Sequence, residues 1–364
     1  MKVLLASPYG GVPGGISRWT EHIIKYYTAQ QRKDYELTLL PMGRSTFVNI
    51  GSGLLYRLKY AIKDYSKIIK SFNKQIKAER FDVMHLTSSA SLGLMKDLYM
   101  LYKACRNNIK TVIHFRFGRM PELAVKKNWE WKLLVKVLNL ADTVVVIDKK
   151  SYDTLKDLGY NNVEFLPNPV APEVVSLVEE NANIKREDNL ILFTGHVVKT
   201  KGVIELVETC NQLKNVRVKF VGHVEEEMKN ELLKIARCNV EIKGEMPYQE
   251  VIREMLRCDV FALPTYTEGF PNVILESMAA GCAIVTTDVG AIPQMLETVD
   301  GKHYGLMVKP KDVIALKEAL DRMLSDEDLK RECRRNVKVR VNERYSIDSV
   351  WEQMTSIWEH TLEK

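Results

Sequence analysis

The chain has 364 residues, 46% hydrophobic and 27% charged, with 53 Lys plus Arg against 47 Asp plus Glu and a formal net charge of +6. That length implies about two domains, and that composition excludes a mostly disordered or collagen-like chain. No apolar run approaches the roughly 20 residues of a membrane-spanning helix. The start, Met1 to Ala6, turns polar and glycine-rich too early for a signal peptide. Six cysteines (Cys105, Cys210, Cys238, Cys258, Cys282, Cys333) are scattered without a C-x-x-C pair, which reads as free thiols in a reducing, cytoplasmic setting with no zinc site. The charge is uneven: residues 1–170 carry 27 basic and 14 acidic side chains, a net of +13, while residues 171–364 carry 26 and 33, a net of −7. A basic half joined to an acidic half points to an anionic partner for one of them.

Short Val/Ile/Leu runs alternate with longer helical patterns. Lys2–Ala6, Glu36–Leu40, Asp82–Leu86, Lys110–Phe115, Thr143–Ile147 and Val163–Leu166 read as buried parallel strands, and Pro167-Asn168-Pro169 ends the series. Residues 171–188 are polar and acidic and read as a linker. The alternation then resumes with Asn189–Thr194, Val216–Val221, Asp259–Leu263, Ala283–Thr286 and Gly305–Val308. Two doubly wound α/β domains follow, with a ligand at the carboxyl ends of the strands. The last helical pattern, Ile347–His360, carries Trp351, Met354 and Trp358 at steps of three and four.

Three strand-end segments could carry chemistry. Ser7 to Gly15 is a glycine-rich turn between the first strand and a helix, either an anion site or a plain tight turn. It lacks the G-x-G-x-x-G spacing, and the second strand ends in Leu39-Leu40-Pro41-Met42 without a ribose-binding acid, so a dinucleotide dehydrogenase is disfavoured. Gly195-His196-Val197-Val198-Lys199-Thr200-Lys201-Gly202 places two lysines and a histidine beyond the first strand of the second half, a second anion contact or a solvated basic loop. In the third, the strand ending at Leu263 leads to Glu268, Gly269, Phe270 and Pro271, with proline suited to the first helical position. The N–H groups of Asn272 and Val273 would then be free for a phosphate, and Glu276 lies near the same helix end. A carboxylate beside a phosphate is repulsive unless it binds something else, such as sugar hydroxyls.

The stretch Glu-Gly-Phe-Pro-Asn-Val-Ile-Leu-Glu-Ser-Met-Ala-Ala-Gly, with Glu268 and Glu276 as its two acids, closely resembles the signature of glycosyltransferase family 4, retaining and metal-independent enzymes of the GT-B fold. The Gly14-Gly15 loop, the strand ends at His85 and His114, Leu166-Pro167-Asn168 and Lys201-Gly202 fall in the family's order, so the resemblance covers nearly the whole chain. It implies two Rossmann-like domains facing a cleft: residues 1–170 plus a crossing helix at 347–364 on the acceptor side, and residues 189–346 on the nucleotide-sugar side. It implies that Glu268 holds donor-sugar hydroxyls, that Glu276 holds the ribose, and that Lys201 neutralises the diphosphate. Gly14 and Gly15 would approach it from the other domain, and His114 would contact the donor sugar. The family usually has arginine where this chain has His196, a shorter group without the guanidinium fork, so Lys201 or Lys199 would carry more of the diphosphate.

No cofactor and no metal are expected. Asp326-Glu327-Asp328 spells an Asp-x-Asp, but it reads as a helix cap with acids in the first turn. The implied reaction moves a sugar from a nucleoside diphosphate, UDP in preference to GDP, to a glycan or lipid-linked glycan in surface polysaccharide synthesis. A nucleotide-sugar epimerase or hydrolase of the same fold and a non-catalytic partner subunit stay open as alternatives. Residues 54–80 carry eight basic side chains (Arg57, Lys59, Lys63, Lys67, Lys70, Lys74, Lys77, Arg80), with Leu58, Ile62, Tyr65, Ile69, Phe72 and Ile76 on another face. Two readings stand for this segment: a core helix with a solvated basic face, and an interfacial helix on an anionic bilayer, at the inner face of the cytoplasmic membrane. The lack of any nucleic-acid motif argues against DNA or RNA.

Overall fold

A computed structural model describes residues 1–10, 14–30, 34–43 and 54–364, with residues 54–62 described as backbone only. Gly11 to Pro13 of the first loop, and the side chains of Arg57, Leu58, Lys59 and Ile62, therefore lie outside the described part. The chain forms two compact units, Met1–Pro167 with Val350–Lys364, and Asn168–Ser349.

The first unit holds six strands: β1 (Lys2–Ser7), β2 (Glu36–Pro41), β3 (Val83–Ser88), β4 (Lys110–Phe115), β5 (Thr143–Val146) and β6 (Val163–Phe165). They lie in the order β2-β1-β3-β4-β5-β6, and every pair is parallel. The central strands β3 and β5 are buried along their whole length, because helices cover both sheet faces. The second unit repeats the plan with β7 (Leu190–Thr194), β8 (Arg217–Val221), β9 (Asn239–Gly244), β10 (Val260–Leu263), β11 (Ala283–Thr287) and β12 (Leu306–Val308), in the order β12-β11-β10-β7-β8-β9, again all parallel. Strand order reverses at β1/β3 and at β7/β10. The loops after these strands are where an open α/β sheet offers a ligand crevice.

Three sequence expectations change. Residues 171–188 are not a linker: Pro172–Glu180 is a helix of the second unit with Val174 buried. Arg186 then donates to the carbonyls of Cys258 (2.7 Å), Ala280 (2.9 Å) and Gly281 (2.7 Å), at the ends of two helices. The segment is polar because it covers carbonyls, where a cation opposes the negative helix ends. Strand β9 has no apolar run to announce it; as an edge strand it alternates exposed and half-buried residues. Pro271 precedes the helix Asn272–Ala279 instead of opening it.

The final helix, Ile347–Glu363, starts where the Ser346 hydroxyl accepts from Ser349 N–H at 3.2 Å. Its tryptophans are buried in the first unit. Trp351 stacks on Tyr27 with centroids 5.9 Å apart, and the Trp358 indole donates to His85 Nδ1 at 2.9 Å. The helix Leu54–Ala78 turns Ile68 and Phe72 into a core of the first unit shared with Leu4, Met84 and Leu86, while Lys63, Lys67, Lys70, Lys74 and Lys77 are exposed. Where its side chains are described, its apolar face is spent on the unit's own core. No described helix is long and apolar enough to cross a membrane.

Candidate functional site

In the second unit the loops after β7, β10 and β11 are fitted to one another through backbone contacts. Gly202 has φ +70°, and a Cβ there would lie 2.0 Å from the Pro264 carbonyl oxygen, so only glycine lets these two loops meet. Tyr266 N–H donates to the Thr200 carbonyl at 2.9 Å and locks the contact. On the other side Gly290, at φ +56°, would place a Cβ 2.4 Å from the Glu268 carbonyl oxygen, and Ala291 N–H donates to Gly269 at 2.9 Å. The Glu268 loop is held from both sides.

This packing makes Lys201 and Glu268 an ion pair, with Glu268 the better buried of the two. The sequence reading gave them separate ligands, diphosphate and sugar; the structure makes each the other's counter-ion. The helix Asn272–Ala279 begins one loop further on. Among the described residues no carbonyl accepts from Asn272 or Val273 N–H, as the first turn of a helix dictates. The Asn272 side chain takes a hydrogen bond from Asn168 at 2.8 Å, and Phe270 packs edge-on to Tyr345. One turn along, Glu276 Oε1 accepts from the Tyr248 hydroxyl at 2.8 Å. Tyr248 went unnoticed in the sequence, since nothing near it marks a site and its partner is 28 residues away.

His196 is exposed, its ring 5.9 Å from that of His223. Lys199 pairs with Glu231 at 2.9 Å, on the helix Glu226–Ile235. Asp326 caps the helix Glu327–Tyr345 by accepting from Leu329 N–H at 2.9 Å, and Asp328 pairs with Arg331 at 2.6 Å, as the cap reading expects.

In the first unit the candidate residues lie after β1 (Gly14, Gly15), in the middle of β3 (His85) and in and just after β4 (His114, Arg116). The Ser17 hydroxyl accepts from Gly14 N–H at 2.7 Å and donates to the Gly14 carbonyl at 2.8 Å. Gly14 N–H is thus taken, at the start of the helix Gly15–Gln30. His114, near the end of β4, is fully buried. Its Nδ1 lies 3.1 Å from His85 Nε2, and its Nε2 lies 3.4 Å from Arg116 Nη1. The Arg116 guanidinium sits over the Trp19 ring, 4.5 Å from its centre, and Trp19 meets His114 edge-on at 5.4 Å. Trp19 is buried, and its indole N–H has no partner among the described residues. Burial pushes the His85 imidazole down to about 3 and holds His114 well below its usual range, with the Arg116 charge acting in the same direction. Both rings are therefore neutral at pH 7. Arg116 was missed, although two residues beyond His114 it follows the strand's two-residue repeat.

A family model described as Glycosyltransferase Family 4 matches residues 13–174, and one described as Glycosyl transferases group 1 matches residues 177–340. The chain is 28% identical over 196 residues to the capsular polysaccharide biosynthesis glycosyltransferase CapM of Staphylococcus aureus, covering 51% of this chain and 50% of that one. It is 30% identical over 181 residues to the N,N'-diacetylbacillosaminyl-diphospho-undecaprenol alpha-1,3-N-acetylgalactosaminyltransferase of Campylobacter jejuni, covering 48% and 46%. The chain thus spans about half the length of these curated relatives. Among solved structures, Anabaena Alr3699/HepE in complex with UDP superposes with a TM-score of 0.71 at 16% identity, covering 99% of this chain and 100% of that one. That likeness shows the fold.

Proposed function

Because the chain belongs to the family 4 and group 1 glycosyltransferases, with the GT-B fold, we propose that it transfers a sugar, with retention, from a UDP-sugar to a glycan or lipid-linked glycan of a surface polysaccharide. The observation that carries this reading is the Lys201–Glu268 pair, set in the same loop system as the free N–H groups of Asn272 and Val273. A diphosphate brings more negative charge to Lys201 than one carboxylate does. It would take over the ammonium and release Glu268 to hold sugar hydroxyls near the anomeric carbon. As the sugar–phosphate bond breaks, charge grows on the leaving diphosphate, and Lys201 with the two N–H groups stabilises it. His196 adds a further contact from the exposed loop.

Glu276, braced by Tyr248, would accept from the ribose hydroxyls. His114, neutral, would offer a hydrogen bond to the sugar without charge repulsion. With retention, the acceptor hydroxyl approaches the face that the diphosphate leaves, and a phosphate oxygen takes its proton. The diphosphate is neutralised by protein groups, so the reaction needs no metal. The UDP complex of HepE and the lipid-linked substrate named for the Campylobacter relative support the choice of donor and acceptor class. The exposed lysine row of the helix Leu54–Ala78 supports contact with an anionic membrane surface, where such acceptors would sit.

The test is to incubate the chain with a panel of nucleotide sugars and lipid-linked acceptors, with and without EDTA, and to analyse products by mass spectrometry and NMR. The expected result is acceptor-dependent transfer with the donor's anomeric configuration, unchanged by EDTA, and a melting temperature raised by UDP. UDP release at the same rate without acceptor would make the chain a hydrolase instead. Strict dependence on added Mg²⁺ or Mn²⁺ would refute the metal-free chemistry.

A further inference from the structure

The buried row Trp358, His85, His114, Arg116 contains more donors than its contacts can accommodate. An indole nitrogen can only donate, and so can a guanidinium. The row has a donor at each end: Trp358 Nε1 at 2.9 Å from His85 Nδ1, and Arg116 Nη1 at 3.4 Å from His114 Nε2. Between them the two imidazoles face each other, His85 Nε2 to His114 Nδ1, at 3.1 Å. Each neutral ring carries one N–H and one lone pair. If Trp358 donates to His85 Nδ1, the His85 proton is on Nε2 and points at His114 Nδ1. The His114 proton is then on Nε2 and faces Arg116. If Arg116 instead donates to His114 Nε2, every proton moves the other way, and His85 Nδ1–H collides with the indole N–H. One contact must be left as donor against donor.

The distances decide which. The Trp358 contact is short, and both partners are fully buried, so its indole has nowhere else to donate. The Arg116 contact is long, and the guanidinium has further N–H groups besides the one that faces His114. Leaving a buried N–H unpaired is the more costly choice. We infer that Trp358, from the last helix of the chain, acts through His85 as a positioning residue that fixes His114 as its Nε2–H tautomer. The Nε2–H of His114 and the Arg116 guanidinium then face each other with no acceptor between them, a place that a ligand oxygen completes. On the proposed function, that oxygen belongs to the donor, and the relay keeps His114 a hydrogen-bond donor toward it.

Long-range ¹H–¹⁵N spectra of the uniformly labelled full chain test this, with His85→Gln and His114→Gln used to assign the two rings. Both imidazoles are expected as the neutral Nε2–H form across pH 6–8. An Nδ1–H form at either ring in the unmutated chain overturns the relay, whatever any variant does. In Trp358→Phe the His114 signals should shift toward a mixture of tautomers. The kcat should fall roughly ten-fold, the order expected when a partner that sets a tautomer is lost, with KM changed less than about two-fold. A fall in kcat with the tautomer intact would mean a purely structural role and also overturns the inference. The spectrum does not depend on turnover: the expected tautomers in a chain that transfers no sugar would sink the proposed function and leave the relay standing.

Discussion

The carboxylate of Glu268 is the counter-ion of Lys201, and this separates the two acids of the site by experiment. Replacing Glu268 with Gln removes that competitor for the ammonium. Glu268→Gln should therefore bind UDP at least as tightly as the parent chain, by up to about 1 kcal/mol more, the usual worth of a partly exposed pair, while losing most transfer. Glu276→Gln should weaken UDP by about 1.5–3 kcal/mol, because a charge-assisted hydrogen bond to the ribose is lost. Calorimetry with UDP on both variants reads the difference, and equal loss of affinity in the two would sink the assignment. The acids and Lys201 were picked out in the sequence because they follow the ends of two strands, Glu268 and Glu276 after β10 and Lys201 after β7, in an order that resembles the family's. What they touch was not legible. The Lys201–Glu268 and Tyr248–Glu276 contacts join residues 67 and 28 positions apart, through loop packing that no local pattern encodes. Gly14 was read as backbone that could approach the diphosphate, but Ser17, three residues on, takes its N–H, a contact that the glycine pattern did not announce.

Among elements, the final helix makes the sharpest prediction. Trp351 is fully buried among Tyr26, Tyr27 and Tyr35 of the first unit. Truncating it leaves a cavity as well as losing the burial, so Trp351→Ala should cost about 3–5 kcal/mol. Hydrogen exchange should quicken in β1, β2 and the helix Gly15–Gln30 while β7 to β12 keep their protection. Loosening confined to the second unit would show that the helix stabilises the wrong partner. The helix itself was legible from its three- and four-residue apolar steps, and the buried strands from their unbroken Val/Ile/Leu runs. Strand β9 and the helix Pro172–Glu180 were not, because each has only one side to bury. Their polar residues, read as composition alone, look like loop.

At the scale of the whole chain the charge follows the division into units. The first unit carries 28 basic and 17 acidic side chains, a net of +11, and the second 25 and 30, a net of −5. Part of that excess is the exposed row Lys63, Lys67, Lys70, Lys74 and Lys77. Where its side chains are described, the apolar face beneath the row packs on the unit's own core, so among the described residues the row offers a membrane charge without inserted side chains. The attraction should therefore be electrostatic in every respect. The chain should sediment with vesicles containing anionic lipid but not with neutral ones. It should detach as salt rises from about 0.05 to 0.5 M, where the screening length shrinks from above 10 Å to a few ångströms. At about 1 kcal/mol for each lysine near the surface, Lys67→Ala together with Lys74→Ala should weaken binding roughly 30-fold and leave the melting temperature unchanged, since both side chains are solvated. Equal binding to neutral vesicles would point to an apolar contact elsewhere on the chain. Unchanged binding by the double variant would move the membrane contact off this helix.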